Sequence, residues 1–154
     1  MKDKVPGVFK RFAGALAPAR DKGTAMVWSP AGGNYPRLMH FDSRELARQP
    51  GLYLLWHLGV RPQWLRAGFS TDLGAAVRLL AATPEIVDFA PNDGPFLSWS
   101  FCATEGASGL VNFLTGRLKP VLQHQALACD LPIDPAVPAV PCALPAGTKD
   151  ISKH

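Results

Sequence analysis

The segment of residues 50–73 constrains the fold of this chain more than any other. It reads PGLYLLWHLGVRPQWLRAGFSTDL, with an apolar run of strand length on each side of Gly-Val-Arg-Pro. Two such runs separated by a short turn that contains glycine and proline are typical of a β-hairpin. Residues 51–58 and 63–69 are therefore predicted to be antiparallel strands joined by a turn over residues 59–62.

Two helices and a third strand are predicted after the hairpin. Apolar residues recur at helical spacing over residues 71–82 and again over 107–118, and Pro84 and Pro120 follow these two segments. Between them, FLSWSFCA alternates like a strand with one buried face. The two apolar stripes consist of Leu73, Ala76, Val77 and Leu80, and of Ala107, Leu110, Val111, Leu114 and Leu118.

Residues 50–125 are thus predicted to form one α+β domain, with a small, mainly antiparallel sheet flanked by helices. A chain of 154 residues, 47% of them hydrophobic, is long and apolar enough to build the core of such a domain. The segments on either side of it have a different composition.

Residues 1–49 are predicted to be a basic N-terminal extension, with nine lysines and arginines against four acidic residues. Val5, Phe9, Phe12 and Leu16 predict a short amphipathic helix. This helix either docks on a partner or membrane surface or packs on the protein's own core. TAMVW and RLMHF are predicted as strands, and SRELARQ as a short helix.

Residues 126–154 are predicted to be a Pro-rich extended tail. Five prolines are spaced through this segment without helical or strand periodicity, which favours extended polyproline conformations. The tail is either an arm that lies on a partner or a disordered end.

Cysteine spacing and hydropathy exclude several classes of protein. Cys102, Cys129 and Cys142 cannot all pair, and none has the spacing of a zinc site, so no structural metal is predicted. No apolar run reaches the length of a transmembrane helix, and the start of the sequence lacks a signal-peptide pattern. The expected location is the bacterial cytoplasm or an organellar matrix, and the protein is not expected to be secreted.

With this order of elements, residues 51–123 resemble the GIY-YIG nuclease superfamily. Gly51-Leu52-Tyr53 is similar to the family's Gly-Ile-Tyr motif, and Arg66-Ala67-Gly68 stands in the place of its Tyr-Ile-Gly motif. Residues 68–73, which lead into the first helix, and residues 114–120, at the end of the second, are also similar to the corresponding parts of the family. The resemblance implies metal-assisted phosphodiester hydrolysis, in which tyrosines position water, an arginine stabilises the phosphate and a glutamate holds the metal.

The functional positions of the family are mostly replaced in this chain. Tyr53 matches the first tyrosine, but Arg66 stands at the second and cannot act as a phenol. The family's arginine falls at Ala76, its glutamate at Val111 and its asparagine at Gln123. Since Ala76 and Val111 belong to the apolar stripes, we expect the fold without the activity, with Tyr53 as the remnant of the catalytic set and with no metal or cofactor.

Three functions remain as hypotheses. The first is a catalytically inactive GIY-YIG-like domain that acts as a nucleic-acid-binding or assembly module. The second is a structural subunit of a larger protein or ribonucleoprotein complex, which binds protein partners through residues 1–49 and 126–154. The third is a divalent-metal-dependent endonuclease with a rearranged site. Candidate contacts for nucleic acid are Arg61, Arg66, Arg117, Lys119, Lys10 and Arg11.

Overall fold

A computed structural model describes residues 26–123, 127–128, 130–148 and 151 of this protein. The predicted amphipathic helix of residues 5–16 lies outside them, and so do the candidate contacts Lys10 and Arg11. Within the described ranges, no helix has the length and apolar character needed to cross a membrane.

The predicted α+β fold is confirmed. The strands are β1 (Gly51–His57), β2 (Gln63–Ser70) and β3 (Phe96–Phe101), and the helices are α1 (Leu73–Ala81), α2 (Pro84–Val87) and α3 (Ala107–Leu118). The three strands form a single antiparallel sheet in the order β2-β1-β3, and helices pack on both of its faces. The turn of the hairpin is one residue longer than predicted, because β1 ends at His57.

Strand β1 is the centre of the structure, and all seven of its residues are buried. Successive side chains of a strand point to opposite faces. Leu52 and Leu54 therefore join the cluster that contains α3, whereas Tyr53 and Leu55 join the cluster that contains α1. Burial on both faces explains why the strand is almost continuously apolar.

Local side-chain chemistry sets the ends of the helices. The carboxylate of Asp72 accepts a hydrogen bond from the Ala75 backbone N–H at 3.1 Å and caps α1. Pro84 follows α1 and begins α2, where a missing N–H costs nothing. Helix α3 ends at Lys119, which adopts a left-handed conformation with φ of 51°.

The strand predicted for RLMHF is wrong, because Leu38–His40 is a 3-10 helix. Of the strand predicted for TAMVW, residues 24 and 25 lie outside the described residues, and residues 26–28 are not in a strand. In the described part of this segment, single bridges to β3 form at Ser29 and Arg37. Pro30 and Pro36 have no backbone N–H, so the chain between the bridges cannot continue a ladder. The predicted helix of residues 43–49 is reduced to the 3-10 helix Ser43–Leu46, whose cap is Asp42.

Both outer strands of the sheet exchange hydrogen bonds with non-strand segments. On β3, the Ser29 N–H donates to the Trp99 carbonyl at 2.8 Å and the Leu97 N–H donates to the Pro36 carbonyl at 3.0 Å. On β2, the Leu122 N–H donates to the Leu65 carbonyl at 2.9 Å. These bonds hold the segments that precede and follow the domain against its sheet.

The described part of the Pro-rich segment lies on the domain itself. The Leu131 N–H donates to the Phe69 carbonyl at 2.8 Å, and the Val140 N–H donates to the Gly109 carbonyl at 2.9 Å. The Trp28 indole N–H reaches the Ala143 carbonyl at 2.7 Å. Apolar side chains of this segment therefore extend the protein's own core on the α3 side.

Candidate functional site

The position of the resembling motifs is occupied by a closed cluster of three polar side chains, Tyr53, Arg66 and Asp130. Arg66 donates from Nε to Tyr53 Oη at 3.0 Å and from Nη2 to Asp130 Oδ2 at 2.7 Å. Its Nη1 donates to the Leu122 carbonyl at 2.9 Å. Tyr53 Oη donates a hydrogen bond to Oδ1 of Asp130 at 2.8 Å. All three nitrogens of the guanidinium thus have partners inside the protein.

Burial makes this cluster inaccessible to a substrate. Tyr53 is fully buried, and the side chains of Arg66 and Asp130 are only 4% and 13% exposed. Removal from water raises the pKa of Tyr53 well above its ordinary value, and the negative charge of Asp130 raises it further. Tyr53 is therefore a neutral phenol that cannot serve as a base, and Arg66 is not in position to contact a phosphate.

The tyrosine also explains why a glycine stands opposite it. Tyr53 on β1 is directly paired with Gly68 on β2, and the ring lies across this residue. A Cβ at Gly68 would lie 2.6 Å from Tyr53 Oη and 2.7 Å from Cζ. The glycine of the second motif is thus required by the close approach of the phenol.

The remaining family positions are not brought together in a site. Ala76 on α1 and Val111 on α3 are both buried, and the two helices lie on opposite faces of the sheet. The Gln123 side chain accepts from the Ala67 N–H at 2.9 Å and donates to the Ala67 carbonyl at 2.8 Å, so it binds backbone. Within the residues that the structure describes, no group of His, Cys, Asp and Glu side chains is placed to hold a metal ion.

Two of the predicted cationic residues do come together at an open groove. This cationic groove, with a volume of about 360 Å³, is lined by Gln63, Trp64, Arg117, Leu118, Lys119 and Ile151, among others. Arg117 and Lys119 are exposed, and neither joins any ion pair of the described residues. Arg61 is exposed in the turn between β1 and β2 and does not line the groove.

A second groove lies beside it, with a volume of about 290 Å³. This aromatic groove is lined by Gly33, Tyr35, Trp56, Leu58, Ala146 and Ile151, among others. The Tyr35 hydroxyl donates to the Ala146 carbonyl at 2.6 Å, which fixes the ring. Sequence reasoning missed Tyr35, because it lies in an irregular loop far from the residues that complete the groove.

Burial disfavours the thiolate form of the two described cysteines. Burial raises the pKa of both Cys102 and Cys142 from 9.0 to about 11. The thiolate is the reactive form, so each thiol carries far less of it than an ordinary cysteine near neutral pH. Cys102 is half-buried and packs against the α3-side cluster as a small hydrophobic side chain.

We therefore expect slow alkylation of these two thiols in the native protein. At about pH 8, iodoacetamide should modify Cys102 and Cys142 about a hundredfold more slowly than it modifies the urea-unfolded chain, since the pKa difference is about two. Peptide mass spectrometry over time separates the individual cysteines. Rapid modification of Cys102 in the folded protein would contradict this expectation.

Comparison of the chain with protein-family models, with curated proteins and with solved structures gives no match. The GIY-YIG relationship therefore stays a prediction that rests on the quoted motifs. Function has to be inferred from the buried cluster and the two grooves.

Proposed function

We propose that this protein is a catalytically inactive, GIY-YIG-like domain that binds nucleic acid through the cationic groove and does not cut it. This proposal rests on the observation that Arg117 and Lys119 both line one open groove. Both side chains are exposed, and neither has a carboxylate partner among the described residues. Free cationic side chains beside a concave surface suit phosphate groups.

Absence of cutting follows from the buried cluster. Hydrolysis of a phosphodiester needs a positioned water and groups that stabilise the developing negative charge. Here the Tyr53 hydroxyl donates a hydrogen bond to Asp130, and all three nitrogens of the Arg66 guanidinium donate to internal acceptors. At the position of the family's arginine stands Ala76, which is buried and carries no charge.

The groove is suited to the backbone of a nucleic acid more than to a base sequence. Arg117 offers a planar fork of donors and Lys119 a compact ammonium, both of which bind phosphate. Gln63 adds an amide to the wall. Contacts of this kind give binding that depends on salt and little on sequence.

Removing the two charges should weaken binding. The double variant Arg117→Gln, Lys119→Asn is expected to lower the affinity for labelled oligonucleotides by about tenfold at low salt. It should also reduce the slope of log affinity against log salt by about two, one for each lost phosphate contact. Asparagine is chosen for position 119 because it tolerates the left-handed backbone found there. Fluorescence anisotropy measures both quantities.

A matched control exists beside α1. Arg48→Asn with Arg78→Gln removes the same charge, and Arg48 also has a left-handed backbone, with φ of 64°. Both arginines are exposed and neither lines the cationic groove. The control should bind like the unchanged protein. Equal losses in the two double variants would show general charge attraction and would contradict a role for the groove.

Cleavage assays test the inactive assignment. We expect intact DNA and RNA after incubation with Mg²⁺ or Mn²⁺. Metal-dependent cutting that disappears in Tyr53→Phe would overturn the proposal and would favour an endonuclease with a rearranged site.

A further inference from the structure

The cationic groove and the aromatic groove adjoin each other at Ile151, which lines both of them. Trp56 in the aromatic groove packs against Trp64 in the cationic groove, with ring centroids 5.3 Å apart. Both tryptophans are buried in adjacent strands of the hairpin, and their packed rings lie beneath the two grooves.

The two grooves offer different chemistry to a ligand. The cationic groove presents Arg117 and Lys119, which attract a negative charge. The aromatic groove presents Tyr35, whose ring stands edge-on to Trp56 with centroids 4.9 Å apart and an angle of 81° between the planes. Leu58 at its rim is 43% exposed. This groove therefore suits a flat apolar group.

Two glycines with positive φ, Gly32 and Gly147, line the aromatic groove. Among the described residues, a Cβ on either would meet no atom within 4 Å, so these two turns add no side chain to the lining and leave the space beside them unfilled. Tyr35 is half-buried, so part of its side chain is accessible to a ligand in the groove.

We infer that the two grooves together seat one nucleotide of an unpaired nucleic-acid strand, with its phosphate at Arg117 and Lys119 and its base against Tyr35. This inference rests on the proposed function and adds the form of nucleic acid that is bound. A nucleotide joins an anion to a flat aromatic ring, and the joined grooves offer the matching pair of surfaces. Stacking of bases on aromatic side chains beside a cationic track is the usual way in which single strands are held.

A base inside a duplex does not fit this surface. Its faces are covered by the neighbouring bases and its edge is paired, so it cannot reach a ring that lies between two loops. The preferred ligand is therefore a single strand of DNA or RNA.

Three probes of equal length distinguish the contributions of phosphate and base. They are a single-stranded oligonucleotide, an abasic strand that has the sugar-phosphate backbone alone, and a duplex. Unchanged protein should bind the intact single strand about tenfold more tightly than either of the others, which is the effect of about one stacked base. Fluorescence anisotropy at low salt gives the three affinities.

Substitution of Tyr35 locates the base. Tyr35→Ala should reduce the affinity for the intact strand to that of the abasic strand and leave the abasic affinity unchanged. Tyr35→Phe keeps the ring but loses the hydrogen bond to the Ala146 carbonyl, so it should still bind the intact strand more tightly than the abasic strand. Near-ultraviolet circular dichroism and thermal unfolding verify that each variant is folded, and the abasic comparison on unchanged protein needs no variant.

Each outcome decides between the two proposals. Equal affinity for intact and abasic strands would overturn the base seat and leave the cationic groove as a phosphate site. Absence of binding to all three probes at low salt would overturn the proposed function and the seat together. Full displacement of the strand by a micromolar free mononucleotide would overturn the strand as ligand and assign the seat to a soluble nucleotide.

Discussion

Replacement of Asp130 by asparagine is expected to lower the free energy of unfolding by about 3–5 kcal/mol. Asparagine keeps the size of the side chain but removes the charge that balances Arg66, which would then be a buried cation without an anion. The amide also brings N–H donors toward a guanidinium and a phenol that already donate. Urea unfolding followed by circular dichroism measures the loss.

Asp93→Asn is the matched control for this variant. Asp93 forms a comparable ion pair with Arg37 at 2.8 Å, but the two side chains are 50% and 42% exposed. Asparagine also tolerates the left-handed backbone of this residue. The control should lose no more than about 1 kcal/mol, because water screens exposed ion pairs. If Asp130→Asn lost as little stability as this control, a stabilising role for the buried cluster would be contradicted.

Replacement of all three polar side chains tests how much of the stability lost in Asp130→Asn comes from leaving the charge of Arg66 without a partner. The triple variant Tyr53→Phe, Arg66→Met, Asp130→Leu removes the three polar side chains together, so that no charge of the cluster stays buried without its counter-charge, although the Leu122 carbonyl loses its donor. Well-packed apolar replacements of buried ion pairs are often neutral or stabilising. We therefore expect this triple variant to be more stable than Asp130→Asn, and a lower stability would show that the cluster is needed as a unit.

The variant Gly68→Ala is expected to cost about 2–3 kcal/mol. The new Cβ would lie 2.6 Å from Tyr53 Oη, so the phenol must move. Tyr53 is held on its other side by Arg66 and Asp130, and any shift lengthens the hydrogen bonds to both. The effect should therefore exceed that of a simple packing defect in an apolar region. Urea unfolding reports the change.

The same substitution at Gly116 is expected to change stability in the opposite direction. Gly116 lies inside α3, and a Cβ there meets no atom within 4 Å. Alanine restricts the unfolded chain and favours the helix, so this variant should be more stable by about 0.5–1 kcal/mol. If both variants changed stability alike, the close approach of Tyr53 to Gly68 would not be the cause of the loss.

Local patterns were enough to predict the central elements of the fold. The apolar stripes of α1 and α3 predicted two helices and the burial of Ala76 and Val111, and both residues are buried. The hairpin was predictable because its strands are adjacent in sequence and joined by a short turn. Contacts between residues that are close in sequence can be predicted from the local pattern of apolar and turn residues.

The partner of Arg66 was not predictable in the same way. Asp130 lies 64 residues further along the chain, in a segment without periodicity. A signal was present, since an arginine in a strand of otherwise buried residues requires an acidic partner. Local sequence does not say which of the chain's acidic residues supplies the charge. Tyr35 and Ala146, 111 residues apart, illustrate the same limit in the aromatic groove.

The hydrogen bonds along the two outer strands restrict how this domain can meet another protein. Ser29 and Pro36 occupy backbone groups of β3, and Leu122 and Gln123 occupy backbone groups of β2. An incoming peptide cannot extend the sheet at these positions, because the donors and acceptors that β-augmentation requires are already in use. The same occupancy protects the sheet from edge-to-edge aggregation. At these positions a partner could contact the domain only through its side chains.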